Sequence, residues 1–170
     1  MLAIGNTILR AANFVFLIIA LGLTGSLAGT TIRQSNPQVN FGIFAAVFGL
    51  LTSTFYGMLA FFFDAFAWPI ILAMFDLLNT LFTFAAATAI ADAIKVHSCS
   101  NRAYLNSNRV TQGSKGRCHK AQASTAFLYF SFFVFLASSV FSIASILRNG
   151  PFSLGGRKTS RVGVPGMSVA

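Results

Sequence analysis

The chain has 170 residues, of which 55% are hydrophobic and 20 are Phe, while only 9% are charged, against roughly 25% in an ordinary soluble domain. The formal net charge is +9. This composition excludes a water-soluble enzyme domain, and also a disordered regulator, which needs low hydrophobicity and high charge. The length allows one domain, and the class is an integral membrane protein.

Charge positions divide the chain. Arg10 and Arg33 bracket an uncharged stretch, which predicts a first span over about 11–32. Ser26-Leu27-Ala28 resembles a signal-peptidase pattern, but the apolar stretch is long for a signal peptide, so a retained helix is expected. Further spans are expected over 41–63, over 66–91 with Asp76 inside it, and over 121–147 between Lys120 and Arg148. At 1.5 Å per residue, about 22 residues reach roughly 33 Å, enough for a hydrocarbon core of about 30 Å. A helix that long satisfies its own backbone hydrogen bonds in lipid. Residues 1–150 are therefore expected to form an all-α four-helix transmembrane bundle. Its short connections run through Asn36-Pro37 and Asp64-Ala65, with Trp68 and Pro69 as interface anchors at the start of the third span. Residues 151–170, rich in Gly, Ser and basic residues, are expected to be a flexible tail.

Orientation is balanced. Four spans put both termini on one side with Arg10, Arg148, Arg157, Lys158 and Arg161, while seven basic residues from Arg33 to Lys120 lie on the other. The positive-inside rule narrowly puts the loop 92–120 in the cytoplasm. The two cysteines oppose it. Cys99 and Cys118 sit near the two ends of that loop, and a bridge there would contribute about 3 kcal/mol, in an oxidising compartment only. Two free thiols at a cytoplasmic interface are the alternative. A zinc site with His97 and His119 suits the residue types, but the adjacent Cys118-His119 pair has poor ligand spacing. No metal and no cofactor other than a bound lipid is expected.

Asp76 is the most informative single residue. No Lys, Arg or His falls within the four expected spans to pair with it, and an acid at such a position costs roughly 2.5–3.5 kcal/mol. It is expected to face the bundle interior in a polar cluster with Asn79, Thr80 and Thr83 on the same helix face. That cluster reads either as a proton or ion station or as an interhelical hydrogen-bond clamp. Gly25 and Gly29 form a GxxxG, and Ala45 and Gly49, like Ser138 and Ser142, repeat the small-residue spacing. Such faces suit helix packing within one bundle or self-association between copies. Enzyme signals are lacking: the chain has no Glu, its acids are Asp64, Asp76 and Asp92, and no hydrolase, zinc-protease or phosphate-loop pattern occurs. Nucleic-acid binding is not expected either, since the basic residues lie at membrane edges, where anionic headgroups attract them.

The loop HSCSNRAYLNSNRVTQGSKGRCHKAQASTAFLYFS, the run Asp76-Leu77-Leu78-Asn79, the pair Trp68-Pro69 and the tail Val162-Gly163-Val164-Pro165 together resemble the fungal non-classical export protein family. These are four-helix MARVEL-domain proteins, and the likeness covers essentially the whole chain. It implies residence in furrow-like plasma-membrane microdomains, the eisosome compartment, and a role in organising them in response to sphingolipid state. It also implies a link to export without a signal peptide. Cytosolic termini, implied by the same resemblance, would place loop 92–120 outside. Expected partners are then membrane lipids (sphingolipid or anionic lipid), further copies in a homo-oligomer, and eisosome scaffold proteins. Two other readings stay open: a small transporter or export component using Asp76, and an accessory subunit of a larger membrane protein.

Overall fold

The computed structural model describes residues 2–32, 35–62, 68–95 and 97–149. Arg33, the Asp64-Ala65 connection and the 151–170 tail lie outside the described residues. Six α-helices and one π segment make up the rest, with no strand among the described residues. They are α1 (Leu2–Gly29), α2 (Pro37–Gly49), a π-helical segment (Leu50–Phe55), α3 (Tyr56–Phe62), α4 (Pro69–Ile94), α5 (Arg102–Ser107) and α6 (Lys115–Asn149). Four stretches are long and apolar enough to cross a membrane: Gly5–Gly29, Pro37–Phe55, Pro69–Ile94 and Lys115–Arg148. The protein is thus an all-α bundle of four membrane-spanning helices.

Local chemistry sets the helix ends. Pro37 and Pro69 each stand at a first helical position behind an extended residue, Asn36 or Trp68, where the missing N–H loses no bond. At its far end α4 stops at Lys95, which turns into the left-handed region with φ 44°. The helix α6 starts at Lys115, several residues before its apolar run. Ser114 sits in front of it and accepts from the Arg117 N–H at 3.4 Å, as an N-cap serine does. The π segment coincides with Thr52-Ser53-Thr54. Thr52 Oγ1 donates back to the Phe48 carbonyl at 2.7 Å, a bond that loosens the helical ladder, and the Tyr56 N–H reaches five residues back to Leu51.

The main contacts close a ring, in which α1 and α4 each pack on both α2 and α6. Inside it the core is built of small residues: Ala20, Ala45, Ala86, Ala87 and Ala121, filled by Leu27, Ile90 and Leu128. Gly42 and Gly49 sit where a Cβ would come within 3 Å of Ile90 Cδ1 or Leu17 Cδ1. Close approach of this kind is what holds helices together where lipid offers no hydrophobic drive. Many of the large side chains turn outward. Phe55, Phe62 and Phe133 are exposed, whereas Phe135 is fully buried.

Candidate functional site

The helix α1 begins at Leu2, so Arg10 lies on the first helix rather than at its boundary. This corrects the expectation that Asp76 has no charged partner. Arg10 reaches across the diagonal of the ring, from α1 to α4, and its Nη2 stands 3.4 Å from both carboxylate oxygens of Asp76. The Asp76 side chain is only 2% exposed. Ser142 on α6 donates to Asp76 Oδ2 at 3.0 Å, so one of the serines of the small-residue spacing in the fourth span serves the acid. Arg10 Nη1 donates to the Ser53 carbonyl at 3.2 Å. That carbonyl belongs to the π segment, where the altered bonding pattern leaves carbonyls available. Gly57 lies beneath the guanidinium, 3.2 Å from Nη1 to the position a Cβ would take. One charge pair therefore ties three spans and the π segment together.

The rest of the polar cluster divides. Asn79 is fully buried and donates from Nδ2 to Thr52 Oγ1 at 2.7 Å, linking the third span to the second. Thr80 bonds the Asp76 carbonyl at 2.7 Å and meets Ser139 Oγ at 3.3 Å. Thr83 bonds back to its own helix, to the Asn79 carbonyl at 2.6 Å and the Thr80 carbonyl at 3.4 Å, and does not join the charge pair. Asn13 Oδ1, Ser53 Oγ, Thr54 Oγ1 and Asn79 Oδ1 are buried with no protein hydrogen bond among the described residues. This end of the bundle is polar inside and incompletely bonded.

The opposite end is covered by the loop, which folds as a cap. Cys99 and Cys118 are bonded to one another, with Cα atoms 5.7 Å apart, and both are buried beside Leu105 and Tyr104. Their sulfurs are therefore not thiolates for zinc, and no group of three His, Cys, Asp or Glu side chains comes together among the described residues. Arg117 is 6% exposed. Its guanidinium donates to the Val110 and Leu27 carbonyls, both at 2.9 Å, and to Thr30 Oγ1. A cation at the C-terminal carbonyls of α1 is favoured by the helix dipole. Lys120 Nζ donates to Ser26 Oγ at 2.8 Å. The last carbonyls of α4 are also taken, Ala93 by Asn108 Nδ2 at 2.8 Å and Ile94 by the Tyr104 hydroxyl. Burial raises the Tyr104 pKa.

The small-residue pairs part company. Ala45 is buried, and Gly49 packs against Leu17 inside the bundle. Gly25 and Gly29 lie on the outer face of α1 with nothing within 4 Å of an added Cβ. Trp68 is half exposed at the start of α4, and Pro69 is its first residue.

The membrane-associating MARVEL domain model matches residues 2–141. The chain is 66% identical over 168 residues to non-classical export protein 102 of Candida albicans, covering 99% of each chain. It is 46% identical over 172 residues to non-classical export protein 2 of Saccharomyces cerevisiae, again covering 99% of each. A homologue of the latter from Schizosaccharomyces pombe is 32% identical, with 74% of this chain and 69% of that protein covered. No solved structure matches. A four-span bundle with an acid on its third span and a capped, cysteine-flanked loop thus belongs to the MARVEL-domain family of non-classical export proteins.

Proposed function

We propose that the protein is a non-enzymatic organiser of plasma-membrane microdomains, the eisosome-associated kind, acting through its lipid-facing surfaces in response to sphingolipid state. The observation that carries this reading is the closure of the Arg10–Asp76 pair. The two charges inside the bundle are spent on each other, on Ser142 and on a backbone carbonyl, which leaves little for catalysis or transport. Function then falls to the outer faces: exposed Phe55, Phe62 and Phe133, and the bare Gly25–Gly29 face of α1 where copies can approach. Assembled copies would stabilise ordered or curved bilayer, with eisosome scaffold proteins as further partners. Cytosolic termini and an external cap fit a disulfide made in an oxidising compartment. The relatives' names associate them with non-classical export, a process such domains would serve by concentrating components. Energy transfer between labelled copies in phase-separated vesicles tests this. Enrichment in one phase and proximity that falls in the Gly25→Leu/Gly29→Leu variant are expected, and even distribution with no proximity would end the reading.

A second reading, a small transporter or export component, is favoured by the unbonded polar atoms of Asn13, Ser53, Thr54 and Asn79 near the pair. It predicts proton or solute flux in liposomes that disappears in Asp76→Asn. If the protein is instead an accessory subunit, a partner will follow it in fixed ratio through gentle purification.

A further inference from the structure

The cap end carries a cleft of about 500 Å³ between the start of the second span and the end of the third. Lys95, His97 and Arg109 line it together with the polar side chains of Ser35, Gln38 and Ser107, and no acidic residue does among the described residues. Among the described residues Arg10 and Asp76 form the sole ion pair, so Lys95 and Arg109 face the cleft without a carboxylate partner. The C-terminal carbonyls of α4 would repel an anion, but those of Ala93 and Ile94 are consumed by Asn108 and Tyr104. The N-terminus of α2, where Asn36 makes no side-chain cap bond, adds the positive end of a helix dipole. Asn36 instead donates to the Arg109 carbonyl at 3.2 Å and holds that residue's backbone against the second span.

The same two helices continue as an aromatic wall. Phe41 follows Pro37 by one turn, about 6 Å, and with Phe44 and Phe48 it packs on Phe82 of α4, at ring distances of 6.5, 5.5 and 5.2 Å. Phe44 is 48% exposed. A cationic, hydroxyl-lined cleft at headgroup level thus stands one helical turn above an apolar surface at acyl-chain level on the same two helices. We propose that the cleft binds the phosphate-bearing, hydroxylated headgroup of an anionic membrane lipid, whose chain lies along the Phe41–Phe44–Phe48–Phe82 wall. This goes beyond the organiser reading and does not depend on it, since such a lipid would be held by a single copy that never assembled.

The test uses the full chain, purified in detergent with its disulfide intact and mixed with phosphatidylglycerol or phosphatidylcholine. Retained lipid is counted by native mass spectrometry. Phosphatidylglycerol is expected to be retained in preference, and roughly ten- to thirty-fold less by the Lys95→Gln/Arg109→Gln variant, the effect of two lost headgroup contacts. The Arg102→Gln/Lys115→Gln variant removes the same charge from the cap outside the cleft and should retain the lipid like the native chain. Glycerol 3-phosphate in excess should leave the lipid in place. Equal loss in the two variants, or equal retention by all three proteins, overturns the site. Displacement by glycerol 3-phosphate or inorganic phosphate overturns the lipid assignment and leaves a soluble phosphate ligand.

Discussion

The two ends of the bundle solve the problem of polar groups in a membrane protein differently. At the cap end a covalent bond joins Cys99 to Cys118, and the buried Arg117 donates to the Leu27 carbonyl of α1 at 2.9 Å. The terminal carbonyls of α4 have donors as well. At the other end Arg10 meets Asp76 at 3.4 Å, a π segment interrupts the second span, and buried polar atoms of Asn6, Asn13, Ser53, Thr54 and Asn79 go without protein partners among the described residues. One end is stapled; the other is tied by charge and incompletely bonded. Local opening favours regions with poorly satisfied bonds, so any rearrangement of the spans is expected to begin at the Arg10–Asp76 end.

That contrast can be broken from either side. The largest expected effect is at the charge pair. Asp76→Leu alone leaves the partly buried Arg10 inside the bundle without a counter-charge and should destabilise the protein by about 3–5 kcal/mol, read as a lowered thermal midpoint in detergent. At the cap, Cys99→Ser/Cys118→Ser should cost about 3 kcal/mol if the denatured chain gains the freedom of the opened loop. Hydrogen exchange should then rise within 97–118 while the middle of α4 stays protected. If exchange rises evenly along the chain, the cap is not a separate unit. Arg117→Met removes the charge-assisted bonds to the Val110 and Leu27 carbonyls, at a net cost of about 1.5–3 kcal/mol, and should loosen the join of α1 to the cap without altering exchange near Asp76.

A finer test contrasts glycines on the inside and outside of the same bundle. Gly49→Ala brings a methyl within 3 Å of Leu17 and should cost about 1–3 kcal/mol through overpacking. Gly25→Ala meets nothing within 4 Å and should leave the single copy as stable as before, or slightly more so. A Gly25→Ala variant that unfolds as easily as Gly49→Ala would mean that the α1 outer face is packed after all.

Reading the chain by its charges located four spans because uninterrupted apolar length is a strong signal in lipid. The same habit misplaced Arg10. Treating a charge as a boundary hides the case in which a long basic side chain on the helix turns inward. Depth was the available clue: Arg10 lies eight residues from the start of α1 and Asp76 seven from the start of α4, on the side of the membrane that four spans make common to both. An acid without a partner at that depth calls for a base at the same depth. The π segment had a weaker mark in Thr52-Ser53-Thr54, whose hydroxyls compete for backbone carbonyls. The cap was less legible. Its bonds join Asn108 to Ala93, Arg117 to Leu27 and Asn36 to Arg109, contacts between side chains and distant backbone that leave no periodicity in the sequence. Only the cysteines announced it.

The central claim is that the intramembrane charges clamp the bundle while the outer faces carry the function. It is tested most directly by replacing both charges at once, Arg10→Met with Asp76→Leu, and measuring stability, copy-to-copy energy transfer and phase preference in vesicles. Removing a buried pair together is far milder than removing one partner. The account predicts that the double variant recovers most of the stability lost in Asp76→Leu and clusters like the native chain. A double variant that folds as firmly as the native chain but no longer clusters, or native flux that vanishes with the pair, would contradict it.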